Sequence, residues 1–330
     1  MLRQLTFNQL KGWNDNIPKN IGMRDFIYNP ANKIAYFKNV ANASNLVYIG
    51  ESDKVRLWLE SDKYNNEQIW DPMIVTPGTV HVPLYKSHVQ KAIRRKLTVP
   101  AIQGVLALLY EDANAILRRL AIIAIEDVCL VYGYSVIVWL MMSQKYRKLT
   151  YSDVNTIVEF VIGLCDIDTV FKNTKTTVKQ RPELSAIPNP ERSELLSLYH
   201  RARFGGLPGD IKMLQNAISY YYEHRRFIVK NKAKNEYDIM SLKLNIPIIP
   251  ESIDFHPFPY LLTKISTNVN ATPEQIKKMI WDAESAVNKR KINTIKQSKI
   301  TKKQQLWTNV KLRLDNERVF VKDNILQDVI

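Results

Sequence analysis

The sequence predicts a mainly α protein, a helical bundle carrying a small mixed α/β N-terminal portion. Three observations predict it. Apolar residues recur at helical spacing from about residue 87 onward. Before that point, aromatic and β-branched residues mix with Asn, Pro and Gly breakers, the pattern of short strands and loops. Glycine is scarce, ten in 330 residues, which argues against a large β-barrel and against Gly-rich nucleotide loops. The expected organisation is a strand and loop portion over 1–84, a helical bundle core over 85–170, a connector over 171–191 and a basic helical region over 192–330.

In the first portion, "DFIYNPANKIAYFKNV" and "NLVYIGESDKVRLWLE" read as short strands, and "DPMIVTPGTVHVPLY" continues them with a turn at Pro77-Gly78. "SHVQKAIRRKL" is the first helix, with Ser87 placed to cap it. "VPAIQGVLALLYED" follows, with Pro100 tolerated in a first turn. Residues 113–127 and 128–146 form one bent helix or two. "TYSDVNTIVEFVIGLCD" is another, capped by Ser152. The connector holds three prolines among basic and hydroxyl residues. "PERSELLSLYHRAR" is a helix ended by Gly205-Gly206, and "LPGDIKMLQNAISYYYEHRRF" is the next. "YDIMSLKLNIPIIPESIDFHPFPY" suggests an irregular strand pair broken by prolines. Helices resume over "PFPYLLTKI", over "TPEQIKKMIWDAESAVNKRKIN" with a capping box from Thr272 to Gln275, and over "KKQQLWTNVKLRL".

The charge balance points to a partner. Lys and Arg number 47 against 32 acids, a net charge of +15, and the pI is near 9.6. Such an excess favours a polyanion. Three acid-poor clusters carry it: 86–96 with Lys91, Arg94 and Arg95; 199–234 with Arg201 and Arg203 among several tyrosines; and 286–314 with nine bases and no acid, including Lys289, Arg290, Lys291, Lys296, Lys299, Lys302 and Lys303. Lysine and arginine neutralise phosphates and aromatic faces stack on unpaired bases, so these twelve residues are the expected nucleic-acid contacts, to DNA or RNA. Solvated helix faces of mixed sign are the ordinary alternative.

Other features are weighed against plainer readings. "AILRRLAIIAIEDVCL" runs Arg118, Arg119, Glu126 and Asp127 through an apolar helix. Arg119 and Glu126 are seven residues apart, hence on one face, and the four read as a structural ion-pair network rather than metal ligands or a general base. Asp254-x-His256 could pair as orienter and base, or bind a metal, but no third ligand follows from spacing. "FGGLPGDIKML" could hold a phosphate on Gly205, Gly206 and Gly209, and reads more simply as an interhelix turn. Cys129 and Cys165 stand alone in apolar runs, so no zinc site, metal or other cofactor is expected, and the thiols fit a reducing compartment. No catalytic residue is assigned, since the familiar motifs of hydrolases, kinases and metalloproteases are absent. The first residues lack a signal-peptide apolar run, and Val128 to Met142 is short for a membrane span. The expectation is an intracellular protein of cytoplasm or nucleus with no membrane partner.

"QKAIRRK" followed by "ALLYEDANAILRRLAIIAIEDVCL" resembles the C-terminal helical region of clamp-loader-like AAA+ proteins of the RarA/MgsA type. Arg118, Arg119, Leu120, Ala124, Glu126 and Asp127 match that family's R-R-L-x-x-x-A-x-E-D segment. The likeness covers about 45 residues. No G-x-x-x-x-G-K-[ST] occurs, so ATPase activity is not implied. What the resemblance implies is a replication-associated helical module without a motor. The Lys-, Asn- and Ile-rich composition also resembles that of large DNA virus proteins, which would place the chain at a viral replication site. The resulting expectation is a nucleic-acid-binding accessory protein of replication, repair or transcription. A structural or assembly subunit docking on protein partners is the rival, and a metal-dependent nucleic-acid-processing enzyme comes third.

Overall fold

The architecture comes from a computed structural model, which describes residues 23–40, 44–60, 68–71, 81–168, 170–171, 187–225, 228–239, 248–285 and 302–326. It is mainly α with a small mixed sheet near the N-terminus, the class the periodicity predicts. The strands are β1 (Arg24–Asn29), β2 (Ile34–Phe37), β3 (Leu46–Ser52) and β4 (Val55–Glu60). The helices are α1 (Val82–Arg94), α2 (Thr98–Ile123), α3 (Tyr134–Ser143), α4 (Tyr151–Asp166), α5 (Glu191–Arg203), α6 (Pro208–Glu223), α7 (Tyr260–Ser266), α8 (Pro273–Glu284) and α9 (Lys302–Asn324).

The fold divides into two units. One draws on Met1–Asp71, Ala113–Leu164 and Phe171–Asn235, the other on Pro72–Asp112, Cys165–Val170 and Glu236–Ile330. This cuts across the linear segments the sequence suggests, since α1 and α3 fall in different units. The chain passes between units inside α2, where Asp112 leaves helical geometry (φ −153°, ψ 83°).

In the first unit the sheet order is β2-β1-β4-β3, with β1 and β4 parallel and the outer pairs antiparallel. Asp25 to Tyr28 of β1 are buried in succession, as a central strand covered on both faces requires. Phe26 stacks on Phe37 with ring centroids 4.0 Å apart. Trp139 of α3 donates its indole N–H to the Phe26 carbonyl at 3.0 Å, satisfying a polar atom that burial would otherwise strand. All ten residues of α3 are buried, which the absence of any charge between Tyr134 and Ser143 permits. The β3–β4 turn is two residues long. Asp53 and Lys54 both take positive φ, 49° and 61°, the twist that matches the flanking strands.

Several boundaries differ from the sequence reading. α1 starts at Val82, not Ser87, because His81 Nδ1 accepts from the Leu84 N–H and Pro83 sits in the first turn. Ser87 is buried inside the helix. α4 is capped by Thr150 rather than Ser152: Thr150 Oγ1 accepts from the Asp153 N–H and the Asp153 carboxylate accepts from the Thr150 N–H. The 113–146 stretch is two helices. α2 ends in a π-helical turn over Ala124–Val128, Cys129 is extended, and a parallel bridge pairs Val131 with Val229 before Gly133 (φ 97°) opens α3. Instead of a strand pair, the described residues before α7 form a 3-10 turn at Pro250–Ser252. The Pro77-Gly78 turn lies outside the described residues. The capping box at α8 is formed as read, with Gln275 N–H donating to Thr272 Oγ1 and the Gln275 side chain accepting from the Thr272 N–H.

The second unit has its own core. Phe255, Ile265, Ile276, Ile280, Val310 and Leu314 are buried together, with Trp307 and Met279 packed against them. Full burial of such side chains contributes about 1.5–3 kcal/mol each. α1 approaches the start of α2 so closely that a Cβ on Gly104 would lie 2.8 Å from both His88 Cδ2 and Val89 Cγ2. His88 uses both ring nitrogens in that contact, Nε2 at 3.0 Å from the Pro100 carbonyl and Nδ1 at 3.3 Å from the Ile249 amide N. The flanking groups require Nε2 to donate and Nδ1 to accept, which is the neutral imidazole. Burial pushes its pKa down to about 4.

Candidate functional site

The basic residues of α1 turn inward. Lys91 and Arg94 are buried, and Arg95 is largely so. Lys91 Nζ lies 2.8 Å from Asp254 Oδ2. Arg94 donates to the Glu284 carbonyl at 2.8 Å. Arg95 lies 3.3 Å from the Glu251 carboxylate and 3.9 Å from that of Glu284. Arg318 of α9 reaches both Glu284 oxygens at 3.1 Å, and its Nε donates to the Ile253 carbonyl at 3.1 Å. The cluster thus ties α1, the turn before α7, the end of α8 and the middle of α9 into one charged network. Removing one partner of such a network leaves an uncompensated buried charge.

Burial alone would raise the Asp254 carboxyl. The hydrogen bond from His256 and the charges of Lys91 and His256 nevertheless hold it well below the usual carboxylate range. Asp254 Oδ1 accepts from the His256 backbone N–H at 2.8 Å and lies 3.1 Å from His256 Nδ1, while the His256 ring is half-exposed. The backbone here is a turn rather than the strand that would have placed both side chains on one face. Among the described residues, no three His, Cys, Asp or Glu side chains gather as a metal site. Neither cysteine is in a disulfide, and both are buried.

In the first unit, Arg119 lies 3.6 Å from Glu126 and 3.7 Å from Asp210. Arg118 offers its carbonyl to Arg201 Nε and Nη2 at 3.3 and 3.1 Å, and its guanidinium sits 5.5 Å from the Phe204 ring centre. Asp127 is fully buried. Arg201 is buried too and gives its remaining Nη1 to the Gly205 carbonyl at 2.9 Å. Arg203 grips Asp53 at the β3–β4 turn with two hydrogen bonds of 2.8 and 2.9 Å. Gly205 and Gly206 take φ of 84° and 150° and make the turn into α6, with Asp210 in its first turn. That arrangement is an interhelix turn beside which Arg201 and Arg203 are already engaged.

Of the twelve residues expected on phosphates, Lys91, Arg94, Arg95, Arg201 and Arg203 are therefore corrected to internal partners. Lys91, Arg94 and Arg201 are shielded from solvent, and Arg95 and Arg203 face carboxylates that a phosphate would have to displace. Lys289, Arg290, Lys291, Lys296 and Lys299 lie outside the described residues. Lys302 and Lys303 open α9.

The residues that sequence reasoning missed are the counter-charges. Glu251 and Glu284, and the Arg318 that holds Glu284, carry no local signal, lying 157, 190 and 224 residues beyond Arg94 at the end of α1. Glu194 was missed as well. Its carboxylate accepts from the Gly133 N–H, the Ser135 N–H and the Ser135 hydroxyl at 2.9, 2.7 and 3.1 Å, capping α3 from inside the core. Burial pushes that carboxyl up to about 7 against the pull of these donors. Comparison with protein-family models, with curated proteins and with solved structures finds no match for this chain.

Proposed function

We infer that the chain is a nucleic-acid-binding accessory protein, without ATPase activity, that contacts phosphates through bases outside its cores. One observation carries the reading. Among the described residues the buried charged side chains are six carboxylates (Asp25, Asp127, Asp153, Glu194, Asp254 and Glu284) and four bases (Lys91, Arg94, Arg201 and Arg318). The interior is thus slightly acidic in formal charge. The rest of the chain therefore carries more than the whole molecule's +15. A basic excess on the outside attracts a polyanion by releasing its counterions.

The bases proposed to do this are Lys289, Arg290, Lys291, Lys296, Lys299, Lys302 and Lys303. Arg313, exposed on α9 one turn after Asn309, continues the run. The likeness of residues 86–130 to a clamp-loader-like helical region supports a place in replication, and α1 then serves as an internal brace rather than a contact. The test is a salt-titrated binding assay on single-stranded DNA, duplex DNA and RNA. Affinity should fall steeply as salt rises, and neutralising Lys289, Arg290 and Lys291 should lower the salt slope by about 2–3. Binding that stays flat with salt refutes the reading.

A second reading, an assembly subunit, is favoured by α9. Leu312 and Val319 are about 60% exposed and Phe320 is nearly half-exposed, more than isolated surface apolar residues usually need explaining. Chemical cross-linking that captures a protein partner through α9, with no nucleic-acid binding at low salt, would favour it.

A further inference from the structure

The geometry points to a binding site for a nucleoside monophosphate in the first unit, lined by Tyr132, Pro188, Glu191, Arg225, Ile228 and Lys230. These residues surround a cavity of about 270 Å³. That lies just below the range of ligand sites, roughly 300 to 1,000 Å³, so the space takes at most one small molecule, partly open to solvent, and not a longer strand.

Its walls are held from several directions. The Val131–Val229 bridge is closed by the Tyr132 N–H donating to the Val229 carbonyl at 2.9 Å and the Val229 N–H donating to the Leu130 carbonyl at 3.0 Å. In an extended segment residues two apart share a side, which is why Ile228 and Lys230 both line the cavity while Val229 makes the bridge. Arg225 is brought round by the turn in which the Ile228 N–H donates to its carbonyl at 2.9 Å. Glu191 stands at the first position of α5, one turn before the Glu194 that caps α3. Tyr132 donates its hydroxyl to Glu191 Oε1 at 2.8 Å. Burial, with that hydrogen bond, pushes the Tyr132 phenol up to about 12, so it remains a donor at neutral pH.

The lining chemistry selects the ligand. Arg225 and Lys230 are two cations with no ion pair among the described residues, which suits a dianionic phosphate better than a single carboxylate. Glu191 keeps lone pairs beyond the one Tyr132 uses, and an acidic side chain is a common partner of ribose hydroxyls. Pro188, Ile228 and the Tyr132 ring offer apolar surface for a planar base. Positive arms, one acceptor and apolar walls match the three parts of a nucleotide. The site shares no residue with the proposed phosphate-contacting bases, so either proposal can fail without the other.

The test is calorimetric titration of the full chain with AMP, GMP, CMP and UMP, beside adenosine and inorganic phosphate. At least one monophosphate should bind, and tighter than adenosine or phosphate by about tenfold or more. The Arg225→Ala/Lys230→Ala variant should weaken that binding by about tenfold or more at an unchanged melting temperature. Glu191→Gln should weaken the monophosphate and leave inorganic phosphate alone. Absence of binding by all four at millimolar concentration overturns the proposal. So does undiminished binding by the double variant, and inorganic phosphate competing as well as the nucleotide overturns the nucleoside part. A variant that loses its fold is replaced by Arg225→Gln/Lys230→Gln, judged by the same criterion.

Discussion

Replacing His88 by Gln should change how this protein responds to acid. His88 is fully buried, donates from Nε2 to the Pro100 carbonyl and accepts at Nδ1 from the Ile249 N–H. Acceptance at Nδ1 requires the neutral ring, and burial lowers its pKa from 6.5 to about 4 against the opposing pull of the Pro100 carbonyl. Between those values the unfolded chain holds a proton that the folded chain does not. Stability is therefore greatest above pH 6.5 and falls as pH drops towards 4. A shift of this size amounts to about 3 kcal/mol over the window, at about 1.4 kcal/mol per pKa unit. Glu194 titrates with the opposite sign. Its folded pKa, near 7, lies above the usual 4.5, so its contribution is lost as pH rises through that range. The bare pH profile of the protein mixes these with other shifted groups, among them the buried His200, whose pKa burial also lowers, and only the difference between wild type and variant isolates His88. Glutamine can donate to Pro100 and accept from Ile249 without titrating. Urea unfolding followed by circular dichroism at about pH 7.5, 5.5 and 4 would measure that difference. The wild type's advantage over H88Q should shrink by about 3 kcal/mol from the first pH to the last. An advantage constant to within about 0.5 kcal/mol would refute the neutral buried imidazole.

Two further outcomes follow from the second unit. Arg318→Met strips the buried Glu284 carboxylate of its bidentate partner and should destabilise by about 3–5 kcal/mol in urea unfolding, whereas Arg318→Met combined with Glu284→Met should regain most of that loss. Gly104→Ala places a methyl 2.8 Å from His88 and Val89, against a helix face with no room to give, and should cost about 1–3 kcal/mol, seen as a lower melting temperature.

What a residue can do within a turn or two of its own position was legible in the chain. The Thr272–Gln275 capping box, the Gly205-Gly206 stop, the strand character of 24–60 and the burial of the charge-free α3 all follow from local chemistry and period. The seam on which Arg119 meets Glu126 is of the same kind, because seven residues fix a helical phase. Even locally, competition between neighbours misled the reading. Ser87 and Ser152 are good caps in isolation, but His81 and Thr150 stand earlier and engage the first free amides.

The candidate site was another matter. "QKAIRRK" reads as a basic surface, since nothing nearby in sequence neutralises it. Its partners Glu251, Asp254 and Glu284 arrive only when α8 and the turn before α7 pack against α1, with Arg318 of α9 holding the Glu284 carboxylate. Composition determined the sign and size of the charge that the molecule presents. Tertiary structure decided which bases are spent inside and which remain for a partner, because a charge is solvated or paired according to what folds over it. No spacing along the chain records that.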